Sequence, residues 1–282
     1  MKIPKKLVMS NKLNKLLQNT GDMALKKRAY NIIDSLNLQD KDKILEIGCG
    51  DGFYLHILSS LGMKLNLVGI DIDKNALKSA KRNLSGRKVQ LLHGDVLKKL
   101  PFQDSSFDKI IMSEVCEHLE DDVKGLKEAK RLLKKGGIIV VTVPNKNYPF
   151  FWDPVNWILQ HFFGTHIKEG FWAGIWNQHL RLYTPEELAT VIEKSGLKIL
   201  KLQSLTYWCL PFNHNLMHLA ARGLHSGKLD KSLSKAINKF ENNPKRPFYI
   251  NLAFKIVNLV DKLNDLYQPS GSGVGVLAVV TK

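Results

Sequence analysis

Arginine is scarce in this chain of 282 residues: of its 42 basic residues only Arg28, Arg82, Arg87, Arg131, Arg181, Arg222 and Arg246 are arginine. A charge made mostly of lysine lacks the planar, bidentate forks that read bases and phosphates. It therefore fits a membrane surface or plain solubility better than base readout. Cysteine is scarcer still. Cys49, Cys116 and Cys209 are scattered and form no C-x-x-C pair, which argues against a disulfide framework or a thiolate zinc site and points to a reducing cytoplasm. No run approaches the roughly 18–20 uninterrupted apolar residues of a membrane span. The opening segment, Met1–Ser10, is positive but lacks the long apolar stretch of a signal peptide. There is no internal repeat and no low-complexity tract. What remains is a chain 44% hydrophobic, long enough for one domain with embellishments and expected to be soluble or peripheral.

The net charge of +16 is unevenly placed. Residues 1–34 and 205–282 each carry +6 of it, three quarters of the excess. Such a distribution points to a polyanionic partner, nucleic acid or an anionic membrane surface, against the plainer reading of solubility charge.

The most informative segment is residues 44–54, Ile-Leu-Glu-Ile-Gly-Cys-Gly-Asp-Gly-Phe-Tyr. An apolar run leads into Glu46, Gly48, Gly50 and Gly52 alternate through a turn, and a helix-like stretch follows. Glycines belong where the backbone takes positive φ or where a ligand presses on the main chain, so this reads as the opening of a nucleotide-binding βαβ unit. The dinucleotide fingerprint would need glycine at 53, where Phe53 stands, and no Lys-Ser/Thr pair follows to make a phosphate-cradling loop. A second apolar run, Leu65–Ile70, ends at Asp71. Val89–Leu92 precedes His93-Gly94-Asp95-Val96, Phe107–Met112 leads to Ser113-Glu114, and Gly137–Val143 closes on Pro144-Asn145. Helical stretches at 52–62, 73–84 and 122–135 alternate with these strands, the pattern of a parallel sheet with helices on both faces. Glu46, Asp71, Asp95 and Ser113/Glu114 are expected just past strand C-termini, where open α/β sheets bind ligands.

As an ordered set these residues resemble the motifs of class I S-adenosylmethionine (SAM) methyltransferases, over roughly residues 40–204 plus the final strand. The resemblance implies a seven-stranded Rossmann-like α/β sheet whose last strand runs antiparallel between the fifth and sixth. It implies that Glu46, Gly48, Cys49, Gly50 and Gly52 meet the methionine part of SAM, that Asp71, with Ile72 beside it, holds the ribose, and that Asp95 and Val96 face the adenine, with Ser113 at the next strand tip. A Rossmann-like domain for another nucleotide, or for none, is the bland alternative.

The organisation that follows is a basic helical flap over 1–38, a core over 39–204 and 273–282, and two insertions. Residues 146–178 hold ten of the 24 aromatics without a clean helical stripe; after a strand's C-terminal end such an insertion sits over the active site as an apolar roof or packs as core. Thr184-Pro185-Glu186-Glu187 is a helix start with a capping box, and Leu197–Leu202 and Val274–Thr281 supply the sixth and seventh strands. Residues 205–272 are the second insertion, expected to be helical and basic. Within it Leu252, Ile256, Leu259, Val260, Leu263 and Leu266 line one helix face.

Chemistry concentrates at Glu114-Val115-Cys116-Glu117-His118. A helical turn beginning after Ser113 would place Glu114, Glu117 and His118 on one face, and His179, from the far end of the aromatic insertion, could close the group. Two carboxylates and two imidazoles suit Mg²⁺, Mn²⁺ or Zn²⁺. The arrangement resembles the Glu-x-x-Glu-His of ubiquinone-pathway O-methyltransferases and the two-Glu, two-His set of small-RNA 2′-O-methyltransferases. Metal-free readings stay open: His118, with Glu117 and His179, as base or acceptor contact, or plain structural hydrogen bonding. His56, His161, His166, His214, His218 and His225 show no pairing pattern. Three functions follow: O-methylation of a hydrophobic small molecule or lipid-type acceptor by a cytoplasmic enzyme peripheral to the inner face of the membrane, RNA 2′-O-methylation, or a SAM-binding partner subunit without catalysis.

Overall fold

Each strand of the computed structural model is a short run rich in branched apolar residues, which suits buried parallel pairing. The structure describes residues 5–210, 231–241, 245–266 and 271–282, together with Phe212, Asn215, Leu219 and Gly223. The strands are β1 (Lys43–Ile47), β2 (Asn66–Asp71), β3 (Val89–His93), β4 (Phe107–Ser113), β5 (Leu133–Pro144), β6 (Lys198–Leu205) and β7 (Gly275–Thr281). They form one sheet in the order β3-β2-β1-β4-β5-β7-β6. Leu45 of β1 lies opposite Val68 on one side and Ile110 on the other, both in parallel register. β7 alone runs antiparallel, with Ala278 between Val141 and Leu202. This is the Rossmann-like α/β sheet expected.

Helices cover both faces: α1 (Lys5–Leu17), α2 (Met23–Ser35), α3 (Phe53–Ser60), α4 (Lys74–Asn83), α5 (Asp122–Leu132), α6 (Pro154–Phe163), α7 (Pro185–Lys194), α8 (Lys231–Ile237) and α9 (Phe248–Leu266). Alternation along the strands sorts the core into two layers. Leu45, Ile47, Val141 and Val280 pack with Leu126 and Ala129 of α5 and Leu188 and Ile192 of α7. Ile44, Val140, Leu277 and Val279 face Leu13 and Leu17 of α1, Ile32 and Ile33 of α2, and Leu55 and Leu58 of α3. The N-terminal helices therefore supply one side of the core instead of standing off it as a flap.

Caps set several boundaries. Asp22 accepts from Leu25 N–H at the start of α2, and α7 carries the expected capping box, in which Thr184 and Glu187 exchange backbone-to-side-chain bonds of 3.2 and 2.8 Å. The aromatic insertion, which shows no helical stripe in sequence, does contain α6 and a 3₁₀ turn at Phe171–Trp176. It is locked around Asp153, whose carboxylate accepts from Asn156 N–H at 3.1 Å and Ile175 N–H at 3.1 Å. A Cβ on Gly174 would fall 1.8 Å from that carboxylate, so only glycine fits. Tyr148, Trp152 and Ile175 pack with Ala24 of α2 and Val274 before β7.

Candidate functional site

The turn between β1 and α3 takes the left-handed backbone that its glycines permit: φ is 72° at Gly48, 52° at Gly50 and 85° at Gly52. The Ile70 carbonyl accepts from the N–H groups of both Gly48 and Cys49, at 2.8 and 2.9 Å. A Cβ at Gly48 would meet Val115 at 2.5 Å, whereas one at Gly50 would meet nothing within 4 Å. The turn is thus pressed against the segment after β4 on one side and open at Gly50.

Asp71 ends β2, and its carboxylate is fixed by two backbone donors, Gly50 N–H at 2.7 Å and Asp73 N–H at 2.8 Å. Each oxygen keeps a lone pair for a diol. Ile72 beside it is 63% exposed, an apolar platform at the strand tip. Asp95 lies two residues beyond β3 and accepts from Leu97 N–H, while Val96 is buried. Glu46 departs from expectation: it lies inside β1, not past its end, and is 2% exposed. Its Oε2 has no hydrogen-bond partner among the described residues. Burial, reinforced by the charges of Asp51 and Asp71, pushes its carboxyl well above the usual range. A buried acid with one unpartnered oxygen, an open glycine and a pinned Asp71 suit an organic cation carrying a ribose. Cys49 is no nucleophile, because burial, and the charge of Glu46 after it, drive its thiol upward.

The tip of β4 corrects the sequence reading. No helical turn follows Ser113: Glu114 has φ 55°, and a 3₁₀ turn starts only at Cys116. The left-handed residue swings Glu114 off the face of Glu117 and His118, so it leaves the expected four-residue ligand set. Its carboxylate instead meets Arg28 of α2 at 2.6 Å. A closed ring of side chains results. Arg28 Nε–H donates to Tyr54 Oη (3.2 Å), Tyr54 contacts Ser113 (3.0 Å), Ser113 contacts Thr142 (2.8 Å), and Thr142 donates to Glu114 (3.1 Å). Thr142 must donate to a carboxylate, so each hydroxyl donates once and accepts once around the ring. Burial alone would weaken the Arg28 charge, but Glu114, Tyr54 and Asp22 together more than offset it and hold the guanidinium protonated. Sequence reasoning missed Arg28, Tyr54 and Thr142. The one available signal was an arginine among lysines in the first 34 residues.

Glu117, His118 and His179 do come together, with one potential ligand atom of each within 4.8 Å of the others. The rings of His118 and His179 meet edge to face at 4.9 Å. His118 Nδ1 is 2.9 Å from the Gln178 carbonyl, and His179 Nδ1 bonds the Ile175 carbonyl. Both rings therefore donate from Nδ1 to a carbonyl, and in the neutral tautomer the acceptor nitrogen of each is Nε2. Leu180 N–H donates to the Glu117 carbonyl at 3.0 Å, which fastens the end of the aromatic insertion to this turn. Glu117 is fully buried and neither oxygen has a partner among the described residues. Burial first, then the charge of Glu114, raises its carboxyl well above the usual range. Two imidazoles held by carbonyls and one unsatisfied carboxylate fit a divalent cation by donor type, and equally a proton relay. Tyr183 and Arg181 brace the turn from behind through Asp122, at 2.7 and 3.1 Å.

Among the other histidines, His56 is core, His161 stacks on Trp157 and His166 on Trp176. His214, His218 and His225 lie outside the described residues.

A methyltransferase-domain family matches residues 45–141. The ubiquinone biosynthesis O-methyltransferase of Pelagibacter ubique is 28% identical over 203 residues, 68% of this chain and 79% of that protein. A demethylmenaquinone methyltransferase of Staphylococcus aureus is 27% identical over 206 residues, 70% of this chain and 83% of its own. Among solved structures, a SAM-dependent methyltransferase from Archaeoglobus fulgidus superposes with a TM-score of 0.51 at 17% identity, covering 90% of this chain and 91% of that one. The [4+2]-cyclase SpnF superposes at 0.54, also at 17% identity, covering 90% and 80%. At such identities the structural likeness establishes the fold alone.

Proposed function

We propose that the chain, whose residues 45–141 match a methyltransferase-domain family, is a class I SAM-dependent methyltransferase that methylates a hydroxyl oxygen of an apolar, ring-bearing acceptor of the quinone-precursor kind. The observation that carries this reading is the Glu117–His118–His179 cluster beside the glycine turn. Methyl transfer from a sulfonium needs alignment and exclusion of water, whereas an oxygen acceptor also needs to lose a proton. The cluster serves that second need.

SAM supplies the activated methyl when bound. Glu46, Gly48, Cys49, Gly50 and Gly52 would hold its methionine part, Asp71 and Ile72 its ribose side, Asp95 and Val96 the adenine, with Ser113 at the β4 tip. The ring from Arg28 to Glu114 fixes Ser113 and keeps the floor of the site rigid. His118 and His179 present Nε2 to the acceptor. Mg²⁺, Mn²⁺ or Zn²⁺ on Glu117, His118 and His179 would supply a Lewis acid that lowers the acceptor hydroxyl's pKa, and Glu114, paired to Arg28, takes no part. The aromatic insertion, whose end is tied to the cluster by the Leu180–Glu117 backbone bond, would wall the site with apolar side chains, which would suit a prenylated ring better than a nucleotide. The relatives named for ubiquinone and demethylmenaquinone support the same acceptor class.

Incubation of the enzyme with isotopically labelled SAM, a polyprenyl catechol and single-stranded RNA tests the reading. A labelled methyl ether on the catechol is expected. Label on a ring carbon would overturn the oxygen assignment, and label confined to RNA ribose would favour the nucleic-acid alternative.

A further inference from the structure

Helix α9 is packed inside out. A helix on an aqueous surface turns its apolar stripe to the core and its polar residues to solvent. Here the face against the protein is Val257, Asp261 and Asn264, at i, i+4 and i+7, and all three are buried. Asp261 pairs with Lys26 of α2 at 3.3 Å, and Lys26 also donates to Asn258 at 2.6 Å. Asn264, 1% exposed, accepts from the N–H groups of Tyr207 and Trp208 and donates to the Trp208 carbonyl. These polar contacts fix the helix's rotation. They leave Phe248, Tyr249, Leu252, Ile256, Leu259 and Leu263 facing outward, between 45% exposed at Leu263 and 82% at Phe248.

We propose that this stripe docks on an anionic lipid bilayer, with α9 lying in the plane of the interface. Charge selects this occupant. The stripe offers one hydroxyl and otherwise no polar group, so nothing in it would recognise a nucleic acid. Lys255 and Lys262, one heptad apart and exposed, run along one edge of it, and Lys245 is exposed just before its start. A second copy carrying the same +16 would be repelled, whereas anionic headgroups are attracted. An apolar face with a lysine border is the composition of an interfacial helix. Ile158, Phe162 and Phe163 at the end of α6 form a second exposed apolar patch, and Trp172 of that insertion meets Phe212, four residues beyond the Trp208 that Asn264 holds, at a ring distance of 6.2 Å. Among the described residues no helix is long and apolar enough to cross a membrane, so α9 lies on the bilayer and does not span it. The placement also joins the bilayer to the site, because Lys26, which holds α9, precedes by two residues the Arg28 that holds Glu114. An apolar acceptor would then reach the strand tips from the lipid phase.

The test compares the full chain with Ile256→Glu/Leu259→Glu in co-sedimentation with vesicles of equal parts phosphatidylcholine and phosphatidylglycerol. Both substituted side chains are outward-facing, so SAM affinity and the urea midpoint report whether folding survives. Wild type is expected to bind, to release as salt rises, and to bind pure phosphatidylcholine vesicles weakly. The double variant is expected to bind anionic vesicles at least about tenfold more weakly, with SAM affinity unchanged. Equal vesicle binding by both proteins would overturn the proposal. So would a concentration-dependent dimer that the substitutions abolish without any vesicle binding, or tight RNA binding in its absence. None of these outcomes depends on the acceptor, so the docking surface and the acceptor class stand or fall separately.

Discussion

The guanidinium of Arg28 lies 2.6 Å from the carboxylate of Glu114, across the gap between the second helix and the tip of the fourth strand. That one pair decides which acidic residue is available for chemistry. It removes Glu114 from the cluster and leaves Glu117 as the carboxylate beside the two histidines.

Arg28→Ala should lower stability by about 1.5–3 kcal/mol, the range for a lost hydrogen bond to a charged group, because it strands Glu114 and opens the ring at Tyr54. Lysine should restore only part, since one ammonium cannot reproduce the guanidinium fork that reaches both Tyr54 and Glu114. Urea denaturation of the two variants checks this, and a fully restored Arg28→Lys would show that charge alone suffices.

Asp71→Ala should weaken SAM binding by roughly 1.5–3 kcal/mol for each hydroxyl bond lost, and it also releases the N–H groups of Gly50 and Asp73. Calorimetric titration with SAM measures the loss. Unchanged affinity would show that the ribose lies elsewhere.

His118→Ala and His179→Ala should each lower kcat by about 10²–10⁴, the usual contribution of a positioned acid or base. Glu114→Gln should instead resemble Arg28→Ala in its stability loss. If a divalent cation assists, EDTA abolishes turnover while SAM still binds; full turnover in EDTA assigns the proton to the imidazoles alone.

His56 sits in the core of α3, edge-on to Phe240 at 5.2 Å. Burial, aided by the charge of Arg87, pushes its pKa down to about 4 from the ordinary 6.5. Above pH 6.5 both folded and unfolded states leave it neutral and it confers no pH dependence. Between pH 6.5 and about 4 the unfolded chain takes up a proton that the folded chain refuses, so stability falls as pH falls. His56→Leu should flatten this part of the profile of urea midpoint against pH. An unchanged slope would assign the acid sensitivity to other groups.

The sheet was legible in the sequence because buried strands write continuous apolar runs and the glycine turn and caps punctuate them. Strand and helix positions came within a few residues, and Glu117, His118 and His179 were grouped across 62 positions from residue chemistry and the family resemblance. What was not legible depended on single backbone angles and on packing direction. Periodicity carries no signal that Glu114 is left-handed, and so none that it leaves the cluster. The α9 stripe was visible as a pattern, but amphipathicity is symmetric: it says that two faces differ, and only Asn264 and Asp261 reveal which one turns inward.

The position of β7 has a consequence for how the molecule is made. This strand lies between β5 and β6, yet residues 206–274 separate it from β6 in the chain. Until that whole stretch has been synthesised, the apolar β5 has one unpaired edge and β6 has no strand to pair with. Such edges recruit strands from other molecules, and closing them requires a slow, long-range contact. Newly made copies are therefore at greatest risk of aggregation between completion of Leu205 and arrival of Gly275, a window in which a holding chaperone would be most useful.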